Sequence, residues 1–149
     1  MDMVIGIGND LRGDDGIGPH VVNAVRPRPD VETVTIHQLV PELAQRIHSA
    51  RRALFVDASL DRECVSLGPI EPSEHRGLGH ACTPAALLGW TKLAYARVPE
   101  SWLLQIPGTS FRLGEPLSVF AKSHIPDAME RIEEWLNSGS RRMQSEEEA

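Results

Sequence analysis

The sequence predicts an α/β fold: a doubly wound, mostly parallel sheet of about five strands with helices on both faces, a three-layer α/β/α arrangement. Short apolar, β-branched runs alternate with segments whose apolar residues recur at helical spacing, an order typical of parallel sheets. The run Ala53–Val56 is apolar without interruption, as in strands that helices cover on both faces. The run Met3–Ile7 breaks into a glycine-lined loop and then directly into an amphipathic segment, so the chain opens as strand, loop and helix.

The length of 149 residues suits one domain with a proper core. We expect that domain over residues 1–137 and a disordered acidic tail over residues 138–149, where polar residues replace the apolar pattern. The net charge of −6, with no basic run longer than a pair, argues against a nucleic-acid partner. No apolar run reaches membrane-spanning length, the N-terminus lacks a secretory pattern, and two cysteines cannot form a disulfide framework. These features predict a cytoplasmic protein that does not bind membranes.

In the N-terminal half, the first strand is followed by a helix with Ile17, Val21, Val22 and Val25 on its apolar face. The alternating pattern of Val31–Ile36 predicts a strand exposed on one face. Three further features are expected before the middle of the chain: a linker at Arg26–Asp30, a short helix at Pro41–Ala50 and the buried strand Ala53–Val56.

In the C-terminal half, Gly68-Pro69 favours an edge position for a strand at Cys64–Ile70. Thr83-Pro84 has the pattern of an N-cap followed by the first residue of a helix. Pro126 predicts a break in the last helical stretch. The remaining elements follow in order: a strand at Ser101–Ile106, a loop at Pro107–Pro116 and helix from Leu117 to Leu136.

The glycines of the first loop do not indicate a nucleotide site. Their spacing is not that of a dinucleotide-binding turn, and no P-loop lysine follows. Asp10, Asp14 and Asp15 would repel a phosphate that the following helix N-terminus could otherwise bind. Acidic residues in this position suit a cation, although one of them could simply cap the helix.

Topology brings two of these acidic positions together. If the first and third strands are neighbours, Asp15 after the first strand and Asp57 at the end of the third face the same crevice, where such sheets bind ligands. His80 lies in a loop before a helix and is expected at the same edge. Two carboxylates and one imidazole would form a divalent-ion site with open positions. The alternatives are that Asp57 caps a backbone turn and that His80 is an ordinary surface residue.

The chain resembles the [NiFe]-hydrogenase maturation endopeptidases, over roughly Met3 to Leu136. The most specific part of the resemblance is GIGNDLRGDDGIG, Gly6 to Gly18. Weaker support comes from four further stretches: HQL with PEL at His37–Leu43, the strand LFVDA, the His80 loop before a helix, and IPG…F…G…LS from Ile106 to Ser118.

The resemblance implies an enzyme that removes the C-terminal extension of a hydrogenase large-subunit precursor after nickel insertion. It also implies three metal ligands, which correspond to Asp15, Asp57 and His80. The first is often glutamate in the family, so Asp14 remains a competitor for Asp15, and His75 is a fallback for His80. The nickel would be held by the precursor's cysteine thiolates and recognised by these ligands, so the chain would need no organic cofactor and hold little metal alone.

Other functions fit less well. Cys82 with His80, or Ser59 near Asp57, could be interpreted as a nucleophilic site, but nothing nearby is seen to orient such a pair. A non-catalytic nickel-sensing or chaperone module that docks on the large subunit would need the same three ligands. A nucleotide-binding domain is disfavoured by the acidic loop.

Overall fold

A computed structural model of the protein describes residues 1–74 and 82–148. Five strands form one sheet in the order β2-β1-β3-β5-β4, parallel except for the edge strand β4. The strands are β1 (Asp2–Ile7), β2 (Val31–Ile36), β3 (Arg52–Ser59), β4 (Ser66–Ile70) and β5 (Glu100–Pro107). The helices are α1 (Ile17–Asn23), α2 (Ala44–Ile47), α3 (Pro84–Tyr95), α4 (Val119–Ser123) and α5 (Ile125–Glu148). The predicted fold class is confirmed.

The sheet order produces a crevice at the carboxyl ends of β1 and β3. β1 pairs with β2 on one side and with β3 on the other, so Asp2 lies level with both Val31 and Arg52. β1 and β3 are parallel, but the strand order reverses between them, because the connection after β1 leads to β2 on one side and the connection after β3 leads to strands on the other side. The loop after β1 and the end of β3 therefore meet at one edge, which we call the carboxyl edge.

Helices cover both faces of the sheet and enclose two apolar clusters. One cluster joins α1, α4 and α5 to even-numbered positions of the central strands, among them Leu54 and Val56. The other joins α2 and α3 to odd-numbered positions, among them Ala53 and Phe55. β3 contributes to both clusters because successive side chains point to opposite faces, which explains its uninterrupted apolar run.

Three elements differ in extent from the sequence prediction. β3 continues to Ser59, so Asp57 lies two residues before its end. The helix expected at Pro41–Ala50 is a 3-10 turn at Pro41–Leu43 followed by the single turn of α2. The last helical stretch is divided at His124, and Pro126 occupies the second position of α5, where its missing N–H costs no hydrogen bond.

The stretch expected to be a disordered tail is part of α5, which continues to Glu148. Glutamate, arginine, methionine and glutamine have good intrinsic helix propensity, and Ser138 and Gly139 contact Arg52 at the start of β3. These contacts extend the helix beyond the last apolar residues of the core. In the described residues no helix, α5 included, has both the length and the apolarity needed to cross a membrane.

Candidate metal centre

The loop after β1 is folded tightly against itself and the sheet. Gly8 has a φ of 145°, and a Cβ there would lie 1.8 Å from the carbonyl oxygen of Asp15. A Cβ on Gly18 would lie 2.6 Å from the carbonyl oxygen of Val56 and 2.7 Å from that of Ile7. Glycine is thus required at these two positions because main chain meets main chain. The consequence is that Asp15 is fixed directly above the ends of β1 and β3.

Asp15 is half-buried and oriented by the main chain. The Asn9 amide N–H donates a hydrogen bond of 2.9 Å to Oδ2 of Asp15. The Asn9 side chain accepts instead from the Leu11 amide at 2.9 Å, so it stabilises the turn and not the carboxylate. Within the described part of the chain, Oδ1 of Asp15 accepts no hydrogen bond and remains open to a ligand.

Asp57 is half-buried on β3, beside Asp15. The pKa of Asp57 is raised to about 6, mainly because burial disfavours the charged form. The Ala58 amide, which donates a hydrogen bond of 2.8 Å to Oδ1, opposes this shift, and the negative charge of Asp15 adds to it. Two carboxylates that repel each other in this way stabilise a dication placed between them. The structure therefore brings together two of the three residues that the sequence nominated.

Asp14 has a different environment, although it is the neighbour of Asp15. Its side chain is buried, with 1% exposure, and accepts four hydrogen bonds from Thr109 and Ser118. Burial alone would raise the pKa of Asp14, but these bonds outweigh burial and hold the pKa below its ordinary value. The Asp14 carboxylate is thus engaged by the protein itself, whereas that of Asp15 is open.

His80, and with it the fallback His75, lies outside the described residues. Among residues 1–74 and 82–148, no group of three His, Cys, Asp or Glu side chains could hold a metal ion. Asp15 and Asp57 alone would provide two oxygen ligands at the carboxyl edge if a cation bound there. A pair of carboxylates suits a divalent ion that keeps further positions free for groups from another molecule.

The two candidate nucleophiles have no activating partner in the part of the chain that the structure describes. Burial raises the pKa of the Cys82 thiol, which disfavours the reactive thiolate. The Ser59 hydroxyl accepts a hydrogen bond of 3.2 Å from the Asp61 amide and serves a turn. Among the described residues, neither side chain therefore has the partner that a covalent mechanism requires.

The sequence analysis did not identify Thr109 and Ser118 as neighbours of the site. Both lie more than ninety positions from Asp14 along the chain. The available signal was a pair of hydroxyl residues at the two ends of a loop that follows a strand, which by itself is compatible with ordinary turn and cap roles. Only the sheet order brings that loop to the carboxyl edge.

Comparison with known proteins gives a consistent fold. No family model and no curated sequence matches the chain. Among solved structures, the hydrogenase maturating endopeptidase HybD from Escherichia coli aligns with a TM-score of 0.75 and 19% identity, over 93% of either chain. The [NiFe] hydrogenase maturation protease HycI from Thermococcus kodakarensis aligns with a TM-score of 0.70 and 23% identity, over 91% of this chain and 92% of that one. The fold implied by the resemblance in sequence is confirmed: the chain has the fold of the hydrogenase maturation endopeptidases.

Proposed function

We propose that the chain is an endopeptidase that removes the C-terminal extension of a [NiFe]-hydrogenase large-subunit precursor after nickel insertion. Asp15, Asp57 and His80 recognise the nickel that the precursor carries, so that only metallated precursor is cut. The observation that supports this proposal best is the pair of half-buried, mutually repelling carboxylates at the carboxyl edge, in a fold that named maturation endopeptidases share.

The chemistry follows from the donors. The charges of Asp15 and Asp57 balance a dication, and a neutral imidazole would add a nitrogen ligand. A metal held at the scissile bond can polarise its carbonyl or lower the pKa of an attacking water. Because the precursor's own thiolates hold the nickel, the site needs only modest affinity of its own. A modest affinity is consistent with the two carboxylate ligands, Asp15 and Asp57, that the described residues would contribute.

A cleavage assay on the purified precursor tests the proposal. Nickel-loaded precursor incubated with the chain should lose its extension, seen as a mobility shift and as the corresponding mass change. Asp15→Asn, Asp57→Asn and His80→Ala should each leave the precursor unprocessed while folding is retained. Two matched controls should process normally: Asp10→Asn, an exposed carboxylate of the same loop, and His48→Ala, a histidine that stacks on Tyr95.

The same experiment separates the enzyme from a non-catalytic nickel-sensing module. A module would co-elute with nickel-loaded precursor but leave its mass unchanged. Full processing by the His80→Ala variant would remove that residue from the site. Thermal stabilisation by ATP or NAD, with no processing, would favour a nucleotide-binding domain instead.

A further inference from the structure

We propose that Asp14 is a positioning residue of this site: its buried carboxylate joins the turn that carries Asp15 to both ends of the loop over residues 108–118, and so fixes where Asp15 lies. The inference rests on the function proposed above. It assigns a separate role to the first acidic residue of the Asp14-Asp15 pair, one that acts through Asp15 and does not contact the metal.

The Asp14 carboxylate accepts hydrogen bonds from Thr109 and from Ser118, and we call this set of bonds the clamp. Its Oδ1 accepts from the Ser118 amide at 2.7 Å. Its Oδ2 accepts from the Thr109 amide at 2.7 Å, from the Thr109 hydroxyl at 3.1 Å and from the Ser118 hydroxyl at 2.7 Å. Thr109 and Ser118 lie at opposite ends of the loop. One carboxylate therefore closes the base of the loop.

Main-chain bonds continue the connection along both loops. The amides of Gly13 and Asp14 donate to the carbonyls of Glu115 and Ser110 at 3.0 and 2.9 Å, and the Gly114 amide donates to the Leu11 carbonyl at 2.8 Å. Gly13 and Gly114 have φ values of 56° and 84°, so both loops turn sharply where they meet. The two loops consequently form one body, with Asp14 at its centre.

The Asp14 side chain is packed closely against the first residue of the 108–118 loop. A Cβ on Gly108 would lie 2.7 Å from Cβ of Asp14. Asp14 and Asp15 belong to the same four-residue 3-10 turn, Gly13–Gly16. A shift of the Asp14 main chain is therefore transmitted directly to Asp15. Helix capping does not explain Asp14, since neither the 3-10 turn nor α1 has a side-chain cap at its N-terminus.

Asparagine at position 14 tests the clamp, because it keeps the shape but places an amide donor against the donors of Thr109 or Ser118. In Asp14→Asn, trypsin should cut after Arg112, inside the loop, at least tenfold faster than in the wild type. Cutting after the exposed Arg97, between α3 and β5, serves as the internal reference and should keep its rate. An unchanged rate after Arg112 would overturn the proposal, whatever the enzyme's substrate is.

Kinetics on nickel-loaded precursor test the effect on the site. If Asp15 recognises the metal when the precursor binds, displacing Asp15 weakens that binding. Asp14→Asn should therefore raise the KM for the precursor at least tenfold and change kcat less than threefold. Thr109→Val, which removes one hydroxyl from the clamp, should raise KM about threefold. The double variant should match Asp14→Asn alone, because both changes disrupt one set of hydrogen bonds.

Thr91→Val supplies the control for a merely structural loss. Thr91 is a fully buried hydroxyl that bonds the Leu87 carbonyl within α3. This variant should lose stability, and hence the fraction of active enzyme, at an unchanged KM. The same behaviour in Asp14→Asn would overturn the positioning role. A wild-type chain that cuts no precursor would instead refute the proposed function, and the trypsin result would still decide whether Asp14 holds the loop.

Discussion

The environment of each aspartate at the carboxyl edge sets its chemistry. Asp14 is surrounded by donors that stabilise the carboxylate, whereas burial and the charge of Asp15 disfavour the ionised form of Asp57. The folded protein therefore binds a proton at Asp57 more tightly than the unfolded chain does. A cation bound between Asp15 and Asp57 would relieve this repulsion, in agreement with the proposed function.

The first prediction concerns Asp57 and the pH dependence of stability. Its pKa is raised from 3.8 to about 6, so its contribution to the free energy of unfolding is present below pH 3.8 and is lost as the pH rises to about 6. Asparagine does not ionise, so the Asp57→Asn variant does not lose this stability as the pH rises. At pH 7 the variant should be more stable than the wild type by about 3 kcal/mol, measured by urea denaturation.

Measuring the free energy of unfolding of both proteins over a range of pH tests this explanation. The stability difference between Asp57→Asn and the wild type should shrink as the pH falls from 6 towards 4. In Asp15→Asn the midpoint of the Asp57 titration should lie at a lower pH than in the wild type, because the repelling charge is gone. A difference that stays constant with pH would contradict the assigned pKa.

The second prediction concerns the closest main-chain approach at the site. Gly8→Ala would place a methyl group 1.8 Å from the Asp15 carbonyl oxygen at a φ that favours glycine. The turn must shift, so the variant should lose about 2 kcal/mol or more of stability and should lose precursor processing. Gly68→Ala is the control, because a Cβ there meets nothing within 4 Å. Equal losses in both variants would contradict the steric explanation.

At the scale of the elements, α3 illustrates how a local cap and core packing together determine where a helix begins. Thr83 caps the helix, accepting from the Ala86 amide at 3.1 Å, and Pro84 occupies its first position. Leu87 and Leu88 then pack fully buried in the cluster under α2 and α3. The start of α3 is thus fixed by a cap on one side and by core packing on the other.

The third prediction follows from this cap. Thr83→Ala should lower the free energy of unfolding by about 1 kcal/mol, because one amide of the first turn loses its acceptor. Thr83→Ser keeps the acceptor and should be close to the wild type. Hydrogen exchange should be faster in Thr83→Ala at Ala86 but not at Thr91, deeper in the helix. A uniform change along α3 would argue against a local capping effect.

Local rules predicted most elements and failed where tertiary contacts decide the ends. Thr83-Pro84, Gly68-Pro69 and Pro126 have the expected effects because each acts on its own backbone. The extent of α5 depends on a partner distant in sequence, Arg52, which no periodicity reveals. The roles of Asp14 and Asp15 likewise follow from the placement of the 108–118 loop, which only the sheet order determines.

At the scale of the whole molecule, a buried ion pair at the amino edge of the sheet joins the start of β1 to the start of β3. Asp2 and Arg52 are 5% and 3% exposed in their side chains, and Nη2 of Arg52 lies 2.6 Å from Oδ2 of Asp2. The Arg52 guanidinium also stacks 3.8 Å above the Trp135 ring and bonds the Ser138 hydroxyl. β1, β3 and α5 are therefore connected by one side chain.

The fourth prediction is that Asp2→Ala is severely destabilising. It leaves the Arg52 cation buried without its carboxylate, a change that typically costs about 3–5 kcal/mol. Arg46→Ala, which removes the exposed pair with Glu32, should cost less than about 1 kcal/mol. Urea denaturation of both variants measures the contrast. Similar, small losses in the two would show that the amino-edge pair is not a main support of the fold.

The position of this pair also shows which side of the protein lies opposite the carboxyl edge. Asp2 begins β1 at the amino edge, and Arg142 of α5 bonds Glu100, the first residue of β5, at that same edge. Asp2 and Arg142 thus lie on the side of the molecule that faces away from Asp15 and Asp57. A surface tether attached on this side would leave the carboxyl edge open, so the precursor processing proposed above should survive immobilisation of the protein.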